Sequence, residues 1–270
     1  MPPKRFSKHS WMMHKLHVVK IGGNLIENPT DLSQALATFA AMEGHKILVH
    51  GGGKRTSEVC SKLGIPAKMH NGRRITDDAA LDVAVMVYAG LANKKIVAEL
   101  QKHQIQALGA TGADLNMIQA QKRPVTDVDY GWAGDVVAVN NRAIEKLVKD
   151  NITLVFCAIT HDTKGQLLNT NADTIAAEIA AAMASHFEVH LHYCFEKKGV
   201  LMDINDSESV IEHIQKDEVS TLQAKGIIAD GMLPKLHNCF YALENGVKKV
   251  FVGQTDMLKN QNTLKTSLHL

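Results

Sequence analysis

Leu16-His17-Val18-Val19-Lys20-Ile21-Gly22-Gly23 joins a short apolar, β-branched run to a pair of glycines, and Lys46-Ile47-Leu48-Val49-His50-Gly51-Gly52-Gly53 repeats the plan further along. Neither run alternates cleanly between apolar and polar residues, as expected of parallel strands covered on both faces. Working outward, comparable runs occupy residues 105–108, 153–159, 188–192 and 248–252. Helical patterns fill the intervals at 31–43, 54–63, 77–103, 140–150, 171–185 and 235–244. This alternation predicts an α/β chain folded as three layers around a mainly parallel sheet.

Local punctuation agrees. Thr76-Asp77-Asp78 supplies a cap and an acidic first turn to the long helix. Gly44 follows the first helix and Gly64-Ile65-Pro66 the second. The Ala-rich helix at 171–185 divides the chain naturally, and the polar last dozen residues are expected to fray.

With 270 residues the chain suits one bilobal unit or two domains. Its 45% hydrophobic and 21% charged content is that of a soluble globular enzyme. A net charge of +2 argues against nucleic-acid binding, and 5% aromatics leave little for base-stacking platforms. Cys60, Cys157, Cys194 and Cys239 form no Cys-x-x-Cys pair and read as reduced thiols. Met1-Pro2-Pro3-Lys4-Arg5-Phe6-Ser7-Lys8 is basic without the apolar core of a secretory signal, and no apolar run is long enough to span a bilayer. A cytoplasmic location, with no membrane partner, is the expectation.

Five segments carry chemistry. Lys20-Ile21-Gly22-Gly23 places a cation and open backbone at a strand's carboxyl end, where open α/β sheets bind ligands. His50-Gly51-Gly52-Gly53-Lys54 is a candidate anion nest before a helix. It is not a Walker A loop, because Leu48 holds the first glycine place and Arg55 follows the lysine. Asn71-Gly72-Arg73-Arg74 offers guanidinium groups suited to a carboxylate. Asn169-Thr170-Asn171-Ala172-Asp173 and Gly231-Met232-Leu233-Pro234-Lys235 each open a helix, the first with Asn171 as cap. Singly, each has a plain structural explanation, such as a tight turn, a solvated basic loop or helix-dipole complementation. Together they read as a site for phosphoryl transfer, which needs cations and backbone N–H groups around developing negative charge. His186, His190 and His192 have the only metal-like spacing, but no cysteine or carboxylate completes a zinc pattern, so no metal site is expected.

These ordered motifs, spread from about Val18 to Val252, resemble the amino acid kinase family, and within it the acetylglutamate kinase branch. The resemblance implies an open three-layer αβα sandwich, with residues 1–184 binding an N-acylglutamate and mediating dimerisation and residues 185–270 binding ATP. It implies transfer of the ATP γ-phosphoryl group to the side-chain carboxylate, as in arginine biosynthesis, with Mg²⁺ riding on the nucleotide. By the same resemblance Lys20 and Lys235 act on the in-flight phosphoryl group and Asp173 holds both. Gly51, Gly52, Arg74 and Asn169 take the acyl amino acid. Gly22, Gly23, Gly52, Glu196, Gly199 and Lys235 take the nucleotide. No general base is needed, since a carboxylate nucleophile is already ionised at pH 7.

The chain departs from the family pattern in places. Arg73 stands where an apolar residue is usual, which raises N-succinylglutamate as an alternative substrate. Phe195-Glu196-Lys197-Lys198-Gly199-Val200-Leu201 replaces a motif with aspartate at the Glu196 position, and Asn262-Thr263-Leu264 replaces a glycine-threonine pair. The first 15 residues lack the long helix of arginine-inhibited members, which implies no arginine feedback. A non-catalytic amino-acid or nucleotide sensor on the same fold is the alternative of another class; the presence of Lys20, Asp173 and Lys235 weighs against it. Excess apolar positions in 77–103 suggest that this helix forms a homodimer.

Overall fold

The computed structural model describes residues 13–70, 73–228, 231–260 and 262–270. The basic N-terminal segment, Asn71-Gly72 and Ala229-Asp230 lie outside the described residues, as does most of the stretch read for an arginine-sensing helix.

Eight strands form the central sheet: β1 (Lys15–Ile21), β2 (His45–His50), β3 (Ala107–Ala110), β4 (Thr153–Cys157), β5 (Glu188–Cys194), β6 (His213–Gln215), β7 (Lys249–Gly253) and β8 (Thr266–His269). Their order is β6-β8-β7-β5-β1-β2-β4-β3, and every neighbouring pair is parallel except β7–β8. The missing alternation has its cause here: all five residues of β4 are buried, because helices cover both faces.

Two cores share the strands between them. On β1, Leu16 and Val18 join one core with Ile144, Ile175, Ile179 and Phe240, whereas Val19 and Ile21 join the other with Leu36, Phe39, Ile96 and Leu100. Strand period two sends neighbouring residues to opposite faces, so these lists are the outer layers of an αβα sandwich.

Helix ends follow the sequence signals. Asp77 caps Asp78–Val85 by accepting from Ala80 N at 2.9 Å. Gly64, at φ +72°, closes the helix Gly53–Lys62, with Ile65 N on Cys60 O and Gly64 N on Ser61 O. The long helix reaches Lys102 but widens to a π-helix over Met86–Ala92 before Asn93–Lys102. Met86 and Leu91 stay exposed on it at 57% and 38%.

Three expectations are corrected. The run 153–159 breaks at Ala158, and Ile159–His161 joins Ile118–Lys122, Ala133–Val139 and Leu167–Thr170 in a small closed four-stranded unit that the sequence patterns did not reveal. The strand read at 105–108 begins two residues later, because Ile105 N still bonds Leu100 O and Gln104 turns the chain with φ +60°. The C-terminus does not fray: Thr266–His269 lies between β6 and β7, with Leu268 2% exposed. Two flanking strands satisfy its backbone, so one buried leucine suffices to seat a polar segment.

Among the described residues no helix is long and apolar enough to cross a membrane. All four cysteines are free and buried.

Candidate active site

The carboxyl end of β1 delivers Lys20, and two helix starts deliver its neighbours. Asn171 caps the helix Ala172–Met183 by accepting from the N–H groups of Asp173 and Thr174, which fixes Asp173 in the first turn. The helix Leu233–Glu244 begins with Pro234 and carries Lys235 in its first turn. Lys20 Nζ lies 2.7 Å from Asp173 Oδ1, and Lys235 Nζ lies 2.7 Å from Oδ2. One carboxylate thus bridges two ammonium groups from separate segments, each side chain less than one-fifth exposed. Burial pushes the Asp173 carboxyl up, but the two lysines outweigh it and hold it at about 2.

Tyr193 supports this arrangement. Its hydroxyl donates to the Asp173 carbonyl at 2.8 Å, and its ring lies 5.1 Å from Lys235 Nζ. The sequence reading stopped the strand at 192 and missed Tyr193; an aromatic residue just before the end of a buried strand was the available signal.

The second glycine loop opens into a cavity of about 410 Å³, whose walls include Gly51, Gly52, Arg74, Asn169 and Ala172. Gly52 is required by close approach, since a Cβ there would stand 2.9 Å from the Tyr88 ring. His50, fully buried, steadies the loop: its Nδ1 lies 2.8 Å from Gly51 O and its Nε2 3.1 Å from Asn93 Nδ2. Burial holds this imidazole neutral down to about pH 4. Arg74 donates through Nη2 to Gly53 O and Ser57 Oγ, while its buried Nη1 has no hydrogen-bond partner among the described residues. Asn169 Nδ2 donates to Thr76 Oγ1 at 3.0 Å. Arg73 and Arg123 also line the cavity, and its described lining contains no carboxylate. Arg123, tied to Asp135, was not anticipated because its loop carries no motif.

The nucleotide-side residues are more dispersed. Gly22 N–H donates to Cys194 O at 3.1 Å, so Gly22 offers room rather than a donor. Gly23 faces open space. Glu196 is exposed and accepts from Asn24 Nδ2, linking the loop after β5 to the turn after β1. A Cβ on Gly199 would stand 2.6 Å from both Thr266 Oγ1 and Val210 Cγ1, so this glycine admits the C-terminal strand. Of the three histidines with metal-like spacing, His186 lies 3.3 Å from Glu145, while His190 and His192 gather with His17.

The twin-lysine bridge beside a cationic cavity suits an anion-transferring enzyme. Residues 15–254 match the model of the amino acid kinase family. The chain is 53% identical to an acetylglutamate kinase of Phocaeicola vulgatus, over 89% of this chain and 94% of that one. It is 52% identical to an acetylglutamate kinase of Parabacteroides distasonis, over 90% and 95%. In fold it is similar to an N-acetylglutamate synthase of Neisseria gonorrhoeae complexed with coenzyme A and N-acetyl-glutamate, with TM-score 0.81, 20% identity, and coverage of 94% of this chain and 59% of that one. The chain therefore belongs to the amino acid kinase family.

Proposed function

We propose that the protein is an N-acetyl-L-glutamate kinase, an ATP-dependent phosphotransferase with a carboxyl group as acceptor, working in arginine biosynthesis. The observation that carries the reading is the arginine-lined cavity, with no carboxylate in its described lining, next to the Lys20–Asp173–Lys235 bridge. An N-acylated dicarboxylic amino acid has no ammonium group and is a dianion at pH 7, and such a cationic cavity attracts it.

In this reading Arg74 binds the α-carboxylate through its free Nη1, and Asn169, Gly51 and Gly52 position the rest. A side-chain carboxylate oxygen attacks the γ-phosphorus, the bond to the β–γ bridging oxygen breaks, and ADP leaves with the electron pair. No proton moves. Lys20 and Lys235 stabilise the phosphoryl oxygens in flight, and Asp173 holds and orients both lysines. Gly23 and Gly52 donate backbone N–H groups to phosphates. Glu196, Gly199 and the neighbouring lysines form the nucleotide side, residues 185–270 being the ATP lobe and 1–184 the acyl-amino-acid lobe. Both Asp173 oxygens are engaged by lysines, so Asp173 is not a metal ligand; Mg²⁺ belongs to the nucleotide phosphates, as suits a hard cation that keeps its waters.

Arg73 in the same cavity wall favours a second reading, N-succinylglutamate as acceptor, because succinyl adds a carboxylate. Hydroxylamine trapping of the acyl phosphate, with both acylglutamates side by side, tests both. Turnover of either supports the kinase, and preference decides the acyl group. Failure of both, with ATP still bound, would leave a sensor.

The exposed Met86 and Leu91 on the long helix, with Leu108 43% exposed on edge strand β3, support a homodimer through this face. Sedimentation of Met86→Glu should then report a shift toward monomer. A cytoplasmic setting agrees with four unpaired, buried cysteines.

A further inference from the structure

The sheet face opposite Lys20 carries a second constellation. In the parallel pairing of β1 with β5, His17 lies beside His190, and His192 lies one step further along the same face. His17 Nδ1 is 3.0 Å from His192 Nε2, and one donor nitrogen from each of His17, His190 and His192 falls within 4.8 Å of the others. Two nitrogens on a tetrahedral ion with bonds of about 2.0–2.1 Å stand roughly 3.3 Å apart, so small side-chain rotations close the set. An N–H···N hydrogen bond accounts for one contact only. The other nitrogen of His192, Nδ1, is buried without a hydrogen-bond partner among the described residues, and His192 is 5% exposed. Glu188 lies 3.0 Å from His190 Nε2, the contact that orients an imidazole for metal binding.

We propose that His17, His190 and His192 form a three-imidazole site for a late first-row divalent ion of the zinc class, separate from the nucleotide's Mg²⁺. The rings line a cleft of about 1010 Å³, which leaves room for water as fourth ligand. Lys15, Lys46, Lys249 and Lys265 oppose positive charge at these rings, and Glu188 offsets part of it. Selection therefore rests on donor bonds: imidazole suits zinc, nickel and copper, whereas Mg²⁺ and Ca²⁺ need oxygen ligands. Bridging β1 to β5 would stabilise the native state by mass action.

Calorimetric titration of the full chain, stripped with a chelator, with Zn²⁺ provides the test, followed by Co²⁺ absorption spectroscopy. The expected result is one binding event that millimolar Mg²⁺ does not displace, four-coordinate Co²⁺ bands and a Zn²⁺-dependent rise in Tm. His17→Gln with His192→Gln should abolish all three, Glu188→Gln should weaken affinity roughly tenfold, and His213→Gln, at the exposed His213–His269 pair, should leave them intact. Glu188→Gln keeps all three rings, so its weakened binding stays informative if the double variant does not fold. Absence of Zn²⁺ binding by the wild type, or unchanged binding by a folded double variant, would overturn the proposal.

Discussion

Tyr193 donates its hydroxyl hydrogen to the backbone carbonyl of Asp173 at 2.8 Å, tying the end of β5 to the first turn of the helix that presents the bridging carboxylate. The contact fixes the backbone beneath Asp173 while its side chain is held by Lys20 and Lys235. Tyr193→Phe should cost about 1 kcal/mol of stability. It should lower kcat more than it raises KM for either substrate, since the ring that flanks Lys235 remains; denaturant melts and steady-state kinetics check the two parts.

The lysine pair itself should be far more sensitive. Lys20→Ala and Lys235→Ala each remove a cation aimed at transferring charge, and each should lower kcat on the order of 10²–10³-fold. Asp173→Ala removes the charge that lets two ammonium groups share a small space, and should reduce kcat comparably. Near-normal turnover of all three in the hydroxylamine assay would refute the assigned roles.

Arg74 and Arg73 should separate by kinetic parameter. Arg74→Lys loses the planar fork that reaches Gly53 and Ser57, so KM for the acylglutamate should rise at least tenfold with ATP binding little changed. Arg73→Leu should leave N-acetylglutamate kinetics almost untouched and selectively impair N-succinylglutamate. Equal turnover of both by the wild type, unaltered by Arg73→Leu, would remove any selective role for Arg73.

Gly52→Ala brings a methyl group within 2.9 Å of the Tyr88 ring, which is itself buried. Overpacking of this kind costs about 1–3 kcal/mol. Because the shift falls on the loop between cavity and helix, Tm and kcat should drop together. Gly23→Ala, which meets no atom within 4 Å, should leave Tm unchanged.

His50 and Asp173 contribute to separate acid windows for stability. His50 is held neutral down to about 4 against an ordinary 6.5, so below 6.5 the unfolded chain takes a proton that the native state refuses. Stability should fall as pH drops from 6.5 toward 4, and less steeply in His50→Gln. Asp173, held at about 2 against 3.8, contributes stability that is complete above 3.8 and disappears as pH falls through 2. Melting temperatures across pH 7 to 2 would resolve both windows.

The sequence alone determined the αβα architecture, the helix cap at Asn171, a helix start within Thr76-Asp77-Asp78, and the candidate roster Lys20, Arg74, Asn169, Asp173 and Lys235. These are written in local periodicity, in turn chemistry and in ordered motifs, all of which act over a few residues. Tertiary structure decided what depends on approach between distant segments. It placed one carboxylate between two lysines, set Tyr193 beneath it, gave the glycine at 199 to the C-terminal strand, and seated polar Thr266–His269 inside the sheet. It also replaced His186 by His17 in the histidine cluster. The reason is geometric: parallel pairing of β1 with β5 sets residues 17 and 190 side by side, and no periodicity along either strand encodes which strand will be its neighbour.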